Sequence, residues 1–352
     1  GTILARGSAE KPIVFTSYRD DAHGGDTNGD GSLTGPNKGD WNHISISGQN
    51  NPSEFSYCHF HYGGGHNSRD YSLVLEASNS SVSNCTFAYN KGAENGVLNA
   101  REAGTGNTIA SNTFYANELP LVIGGTMDID ASNVFHNPSD ASQTNDQNGI
   151  FFQLYNGDIE GNRHWQETEV PFVVRNAYGV DIGEDQSLTL APGVIVKLDA
   201  DMGIEAEGVL KAKGTQEQPI VFTSYHDDTY GGDADGNGNM VAPAPADWQH
   251  IAISGTNNAS ELEHCFIAYG GGHGSYDYAL VLESGNTTVS HCTFAHNKST
   301  EDGALNAVNA QAGTSITNNL FYQNDIPLVI NGLLDIDASN TFHHPDDEAL
   351  SN

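Results

Sequence analysis

Short apolar runs separated by polar, glycine-rich corners recur along the whole chain. Typical runs lie at residues 44–46, 73–75 and 121–123, and clusters of Gly, Asn, Ser and Asp separate them. No long window has the 3.6-residue periodicity of an amphipathic helix. Short β-branched and aliphatic runs bounded by turn residues are typical of strands. The pattern therefore predicts an all-β protein built from many short strands.

One motif recurs at near-constant spacing and suggests how these strands are arranged. A Cys or Asn stands two residues before a Phe at positions 58, 85, 112 and 133. Coils of short strands that stack on one another would place these residues in ladders, with Phe inside and Cys or Asn at a buried bend. Each coil would then bury its apolar face against its neighbours. A pair of β-sandwich domains is the alternative, because regular short strands also fit that class.

A longer repeat is superimposed on the short one. Residues 12–18 recur letter for letter at 219–225, an offset of 207 residues that also relates Trp41 to Trp248. Self-similarity at a fixed period predicts a repeat architecture. We therefore predict a first β-helix unit at 1–207, of which 146–207 lacks a counterpart, and a second, incomplete unit at 208–352 continuous with it. Because the chain opens within a unit, we expect it to be part of a longer protein.

The short motifs resemble a known superfamily. Residues 82–87 (Val-Ser-Asn-Cys-Thr-Phe), 109–114 and 289–294 resemble repeats of the right-handed parallel β-helix of the pectin-lyase-like superfamily. Residues 188–197, 208–215, 219–224 and 247–248 are similar to β-helix segments of large secreted or surface-anchored bacterial proteins. The resemblance covers nearly the whole chain and implies a right-handed parallel β-helix and a secreted origin. The superfamily includes lyases, hydrolases, adhesins and plain scaffolds, so fold alone does not fix activity.

The composition is strongly acidic. There are 45 acidic and 13 basic residues, giving a formal net charge of −32 at pH 7. A basic stripe, the footprint of nucleic-acid binding, is not expected from such a chain, and anionic membrane surfaces would repel it. No apolar run approaches the ~18–20 residues of a membrane span. The balance favours cations as partners and an extracellular, cell-surface location.

Two acidic loops carry the strongest chemical motif. The first acidic loop spans residues 20–31 and the second spans 227–238. Each places oxygen side chains at alternate positions and closes with Gly, as in the first half of an EF-hand calcium loop. The predicted Ca²⁺ ligands are Asp20, Asp21, Asp26, Asn28 and Asp30 in the first loop and Asp227, Asp228, Asp233, Asp235 and Asn237 in the second.

These loops are not EF-hands, because the bidentate Glu of position 12 is missing. Asn37 and Ala244 stand at that position in the two loops. The paired acids at 20–21 and 227–228, or backbone carbonyls, would have to complete the coordination shell. A solvated turn is the alternative, since Asp, Asn and Gly are common turn residues.

A second motif combines aromatic, His and Asp residues on a glycine-rich turn. Such side chains could stack on a sugar ring and hydrogen-bond to its hydroxyls, or the turn could fold back onto the coil. The candidate glycan-binding residues are Tyr62, His66, Asp70 and Tyr71 in the first copy and Tyr269, His273, Asp277 and Tyr278 in the second. We expect Trp41 and Trp248 to pack where each acidic loop rejoins its coil.

The four cysteines fall as two pairs, 58 with 85 and 265 with 292. In stacked coils the members of a pair would lie about 4.8 Å apart at Cα, which a disulfide tolerates. A ladder of buried thiols is the alternative, because Cys is among the most buried residue types. The sequence leaves both open.

The sequence favours a non-enzymatic role. No residues are assigned as catalytic, since the basic residues are few and no Ser-His-Asp order, P-loop or dinucleotide motif is present. The preferred interpretation is a calcium-stabilised extracellular rod with a structural or adhesive function, which assembles end to end with itself or contacts surface polysaccharide. The alternative is a polysaccharide lyase or glycoside hydrolase, as the superfamily resemblance allows.

Overall fold

The protein is an all-β parallel solenoid of stacked coils, as predicted. The computed structural model describes residues 1–66, 69–154, 157–175, 178–255, 258–272, 274, 277–331, 334, 336–344 and 347–352. No helix occurs among these residues. The chain divides into two compact units, Gly1–Phe152 with Ala234–Gly236, and Gln153–Asp233 with Asn237–Asn352. The unit boundary predicted from the sequence, between residues 207 and 208, was drawn from the repeat period and not from contacts. It stays a prediction.

The first unit contains three parallel sheets. Its strands are β1 (Leu4–Arg6), β2 (Ile13–Phe15), β3 (Ile44–Gly48), β4 (Glu54–Ser56), β5 (Cys58–His61), β6 (Leu73–Ala77), β7 (Ser81–Ser83), β8 (Thr86–Ala88), β9 (Leu98–Ala100), β10 (Thr108–Ala110), β11 (Thr113–Tyr115), β12 (Leu121–Ile123) and β13 (Ile150–Phe152). Their spatial orders are β1-β4-β7-β10, β2-β5-β8-β11 and β3-β6-β9-β12-β13. Within a sheet, neighbouring strands are mostly three apart in the chain and run parallel. A chain that coils through three sheets has this topology, whereas a β-sandwich has antiparallel strands.

The second unit repeats this topology. Its strands are β14 (Asn162–Trp165), β15 (Phe172–Val174), β16 (Val180–Ile182), β17 (Ser187–Leu190), β18 (Ile195–Leu198), β19 (Ile204–Ala206), β20 (Val209–Lys213), β21 (Ile220–Ser224), β22 (Ile251–Ile253), β23 (Glu261–Glu263), β24 (Cys265–Ala268), β25 (Leu280–Leu282), β26 (Thr288–Ser290), β27 (Thr293–Ala295), β28 (Leu305–Ala307), β29 (Ser315–Thr317), β30 (Leu320–Tyr322), β31 (Leu328–Ile330), β32 (His343–His344) and β33 (Asp347–Ser351). The parallel orders are β14-β17-β20-β23-β26-β29, β15-β18-β21-β24-β27-β30 and β16-β19-β22-β25-β28-β31. Strands β32 and β33 form an antiparallel pair.

Phenylalanine rings form a stack through the core of the first unit. Phe60 and Phe87 have ring centroids 4.6 Å apart, and Phe87 and Phe114 have centroids 5.1 Å apart. All three rings are fully buried. The strand register pairs Phe60 with Phe87 and Phe87 with Phe114, so the stack follows from in-register parallel pairing. The predicted Phe ladder is confirmed.

Asparagine side chains form a second ladder at the buried bends. Asn90 Nδ2 donates to Asn117 Oδ1 at 2.9 Å, and Asn117 Nδ2 donates to Asn145 Oδ1 at 2.8 Å. Each amide also donates to a backbone carbonyl of the previous coil, as Asn117 does to Phe87 O at 2.8 Å. Buried backbone carbonyls need partners, and the amides supply them where the chain bends out of its sheet.

A single residue with left-handed backbone conformation links β4 to β5, and the equivalent residues of the following coils share this conformation. Tyr57, Asn84 and Ser111 have φ of 51°, 53° and 58°. In the second unit His264 and His291 have φ of 50° and 55°. A non-glycine residue in this region costs roughly 1–2 kcal/mol, least for Asn. The corners keep this conformation because the sheets on either side fix it.

All four cysteines are buried free thiols. Cys58 Sγ donates to Ala5 O at 3.3 Å and Cys85 Sγ donates to Phe55 O at 3.4 Å, each to the preceding coil. Burial raises the pKa of the Cys265 thiol well above its usual value. The thiols therefore act as ladder donors in the place that Asn takes on other coils.

Candidate metal centre

The first acidic loop brings three carboxylates together. Donor oxygens of Asp21, Asp26 and Asp30 all lie within 4.8 Å of one another. The loop forms because Asp26 accepts hydrogen bonds from the backbone N–H groups of Gly29 and Gly31, at 2.7 and 2.9 Å. Glycine at both positions has positive φ, 73° and 65°, which lets the chain turn around the Asp26 carboxylate.

The carboxylates differ in how much of their acceptor capacity is used. Asp30 accepts from Leu33 N, from Thr34 and from the Asn28 amide. Asp21 accepts at Oδ2 from Ser32, whereas its Oδ1 atom is buried and has no hydrogen-bond partner. A buried anionic oxygen left unpaired is costly. A cation among the three carboxylates would remove that cost.

The basic residues that flank the first acidic loop in the sequence pair with other acids. Arg19 pairs with Asp40 at 3.1 Å, and Lys38 pairs with Asp146 at 3.0 Å. A hard cation such as Ca²⁺ takes six to eight oxygens at about 2.3–2.6 Å. The three carboxylates can supply part of such a shell, and side-chain amides, backbone carbonyls or water would have to supply the remainder.

Asp20 is separated from this cluster by its contacts. It is buried and accepts from Thr16 Oγ1 at 2.5 Å and from Ala22 N at 3.2 Å. Its Oδ2 atom lies 2.8 Å from His23 Nδ1. Although burial opposes it, these hydrogen bonds and the charge of His23 lower the pKa of Asp20. The structure thus groups Asp20 with histidine and leaves Asp21 with the loop.

The second acidic loop is built on the same turn. Asp233 accepts from Asn237 N at 3.1 Å and from Gly238 N at 2.9 Å. Donor oxygens of Asp228 and Asp233 lie within 4.8 Å of each other. Asp227 is buried and accepts from Thr223 Oγ1 at 2.6 Å. The fourth predicted ligand of this loop, Asp235, belongs to the stretch 234–236 that is grouped with the first unit.

The tryptophans pack where the acidic loops rejoin their coils, as the sequence suggested. Trp41 Nε1 donates to His61 O at 2.7 Å, and Trp248 Nε1 donates to Ala268 O at 2.8 Å. Trp248 is fully buried. Each indole thus links the end of its acidic loop to a strand, β5 in the first copy and β24 in the second.

The glycines of the aromatic motif have a packing role. A Cβ on Gly63 would lie 2.8 Å from the Trp41 ring, and one on Gly64 would lie 2.0 Å from Lys91 O. Gly64 also has φ of 90°. The Gly-Gly-Gly run therefore allows close approach of the loop, the indole and the next coil.

The acids of the same motif cap the next coil. Asp70 accepts from Asn95 Nδ2 at 2.5 Å and from Glu94 N at 3.3 Å. Asp277 accepts from the backbone N–H groups of Thr300 and Asp302, at 2.8 and 3.0 Å. Burial opposes it, yet these bonds and the Thr300 hydroxyl lower the pKa of Asp277. Both carboxylates are buried and face the protein.

The aromatic residues of the motif stack on neighbours. Tyr71 is buried with its ring 4.8 Å from the His43 ring, and burial raises its pKa. Tyr62 stacks on Tyr89, with ring centroids 5.7 Å apart.

In the second copy of the motif, Tyr278 packs on His250 and Tyr269 packs on His296, with ring centroids 5.1 and 5.3 Å apart. His66 contacts His43, and His273 lies outside the described residues. Tyr62 and Tyr269 are partly exposed.

Sequence reasoning missed a histidine cluster on β5. His59 and His61 are two residues apart on one strand, which places both on the same face, and their rings stack at 5.5 Å. His23 joins them, with its ring 5.7 Å from that of His61. The His-x-His spacing within a strand-like run was the signal available in the sequence.

An acidic groove in the second unit was also missed. Asp181 is in register with Glu205 and bridges to Asp158, so acids stand on successive coils. They line a cavity of about 500 Å³ together with Glu207. Burial, followed by the charges of these neighbours, raises the pKa of Asp181. These coils lack the Cys/Asn-x-Phe motif. Without that motif, the sequence alone did not show which residues of successive coils lie side by side, so the acids could not be aligned.

Comparisons with protein-family models, with curated proteins and with solved structures found no match for this chain. The fold and the local chemistry therefore carry the functional argument.

Proposed function

We propose that the chain is a non-enzymatic structural or adhesive segment of an extracellular protein, stabilised by Ca²⁺ bound in its acidic loops. The superfamily resemblance of the short repeats supports assignment to the pectin-lyase-like β-helices of secreted or surface proteins. The observation that carries the proposal is the Asp21, Asp26 and Asp30 cluster with its unpaired Asp21 oxygen. The net charge of −32 supports a cation-rich environment.

Calcium binding to the first loop can be measured directly. Chelator-treated protein is titrated with Ca²⁺ by isothermal calorimetry, in parallel with the triple variant D21N/D26N/D30N. The variant should lose one class of sites, because amides do not replace carboxylate charge in a calcium shell. Asp185→Asn changes an exposed acid elsewhere and should bind as the wild type does. Equal binding by wild type and triple variant would contradict the proposal.

A polysaccharide hydrolase is the second candidate, favoured by the acidic groove alone. Retaining glycosidases hold two carboxyl groups about 5–5.5 Å apart, close to the ~4.8 Å spacing of neighbouring strands. Asp181 and Glu205 stand on such neighbours. The raised pKa of Asp181 suits a general acid, and Glu205 would then be the nucleophile.

A panel of plant and marine polysaccharides separates the two candidates. The structural proposal expects no release of reducing ends and no ultraviolet absorbance from unsaturated products. Activity that disappears in D181N and in E205Q, but not in D185N, would establish the hydrolase and end the non-enzymatic proposal.

The partners remain predictions of the sequence. Self-association should appear as concentration-dependent mass in sedimentation, and contact with surface polysaccharide as binding on a glycan array. If Tyr62 and Tyr269 contact sugar, Y62A/Y269A should weaken array binding while leaving sedimentation unchanged.

A further inference from the structure

A surface cavity of the first unit is lined by three histidines. The cavity has a volume of about 400 Å³, and His23, His59 and His61 contribute to its wall. Donor atoms of His23, His61 and Asp20 all lie within 4.8 Å of one another. The acid comes from the start of the first acidic loop, and two of the histidines come from β5.

The buried member of this group has an unused nitrogen. His61 is 9% exposed, and its Nε2 atom is buried without a hydrogen-bond partner. Leaving such an atom unpaired costs free energy that a ligand at that point would recover. Burial lowers the pKa of His61 to about 4.

The second copy shows what the same position looks like without histidine. At the 207-residue offset, His23, His59 and His61 become Tyr230, Phe266 and Ala268. Tyr230 packs on Phe266 there, with ring centroids 5.2 Å apart.

The acid does not need the histidines for its place in the fold. Both copies keep its bond to a threonine hydroxyl, Thr16 to Asp20 at 2.5 Å and Thr223 to Asp227 at 2.6 Å. The histidines of the first copy are thus an addition to a corner that folds without them.

We propose that Asp20, His23 and His61 form a binding site for one divalent transition-metal ion of the zinc class, separate from the calcium loop. Two imidazole nitrogens and a carboxylate oxygen are a ligand set that zinc uses, with water or a further His in the fourth position. His59 lines the same cavity.

The geometry suits a small ion more than Ca²⁺. Bonds of about 2.0–2.2 Å to a tetrahedral ion separate its donors by roughly 3.3 Å. Asp20 Oδ2 and His23 Nδ1 already lie 2.8 Å apart, and the His23 side chain is partly exposed. Imidazole nitrogen discriminates against Ca²⁺, which prefers oxygen ligands.

The test is a zinc titration of the full chain, purified without a polyhistidine tag and kept in excess Ca²⁺. Among the described residues, the surface cluster Glu263, His264 and His291 is a second histidine-containing group that could bind zinc. The background variant H264Y/H291N removes it with the residues that the first copy has at those positions, Tyr57 and Asn84. These also keep positive φ there.

In that background the chain should bind one Zn²⁺, measured by competition with a chromogenic chelator. Adding H23Y/H61A, which copies the residues of the second unit, should weaken zinc at least about a hundredfold, since loss of even an outer-shell partner costs 10–100-fold. Co²⁺ should give a ligand-field absorption band that the same variant lacks. Calcium binding and the melting temperature in EDTA should stay unchanged. Equal zinc affinity with and without H23Y/H61A, or no zinc bound in the background, would overturn the proposal.

Discussion

At the buried bends of each coil, single asparagine side chains satisfy backbone groups that no strand reaches. Asn117 illustrates this, because it donates to Phe87 O and to Asn145 Oδ1 and accepts from the Asn90 backbone and side chain. Sequence alone predicted a ladder of like residues at this bend. The individual donors and acceptors could not be predicted, because they depend on which amide faces which carbonyl one coil away.

Replacing Asn117 should therefore be costly. Asn117→Ala leaves Phe87 O and two Asn90 donors without their partner, and should lower the free energy of unfolding by about 2–4 kcal/mol. Denaturant unfolding monitored by circular dichroism measures it. Asn50→Ala removes an exposed amide and should stay within about 0.5 kcal/mol. Similar losses in both variants would contradict the ladder's role.

The lowered pKa of Asp277 predicts that the free energy of unfolding depends on pH. Its folded pKa lies below the unfolded value, so its contribution is fully present above the unfolded pKa of about 3.9 and is lost as pH falls through the folded pKa. Asp277→Asn should cost on the order of 1 kcal/mol or more at pH 7. The difference from wild type should shrink below about pH 4.

Unfolding curves of wild type and D277N between neutral and acidic pH measure this difference. Asp185→Asn serves as the control, since that side chain is exposed and should show little difference at any pH. A D277N deficit that stays constant into acid would show that the charge of Asp277 is unimportant.

At the scale of elements, the Tyr-Gly-Gly-Gly-His turn shows where sequence reasoning reached its limit. Its residue types fit sugar recognition, but the structure buries Asp70 and Tyr71 and packs Gly63 against Trp41. Only the fold reveals that Lys91 O of the next coil approaches Gly64. A motif read along the chain cannot show contacts made between coils.

This turn gives a matched pair of glycine variants. Gly64→Ala combines positive φ with a Cβ 2.0 Å from Lys91 O, so it should destabilise the protein by about 3 kcal/mol or more. Gly48→Ala has φ of 108° and open space around it, and should cost only about 1–2 kcal/mol for the strained backbone. Equal losses, measured by denaturant unfolding, would show that the close approach does not matter.

At the scale of the whole molecule, the sequence predicted the solenoid because its short repeat is carried by buried residues. Phe60, Phe87 and Phe114 must stack if the coils stack, so spacing along the chain translated directly into contact. The histidine cavity and the acidic groove were missed because outward-facing residues carry no such periodic constraint. No helix of the described part has the length and hydropathy to span a membrane.

The chain carries a large negative charge that its fold must accommodate. With a net charge of −32, self-repulsion disfavours the compact state, and the acidic loops concentrate that charge locally. Bound divalent ions would offset both effects, whereas monovalent salt screens only the long-range part. Whether the acidic loops bind Ca²⁺ therefore decides the proposed function.

The most direct test is the melting temperature of the chain with and without Ca²⁺. At a hundredfold excess over its Kd, each site adds about 2.7 kcal/mol of stability, so exhaustive chelation should lower the melting temperature and Ca²⁺ should restore it. In D21N/D26N/D30N the shift should be smaller than in wild type, while D185N keeps the full shift. A melting temperature that does not change on chelation would show that Ca²⁺ does not stabilise this fold.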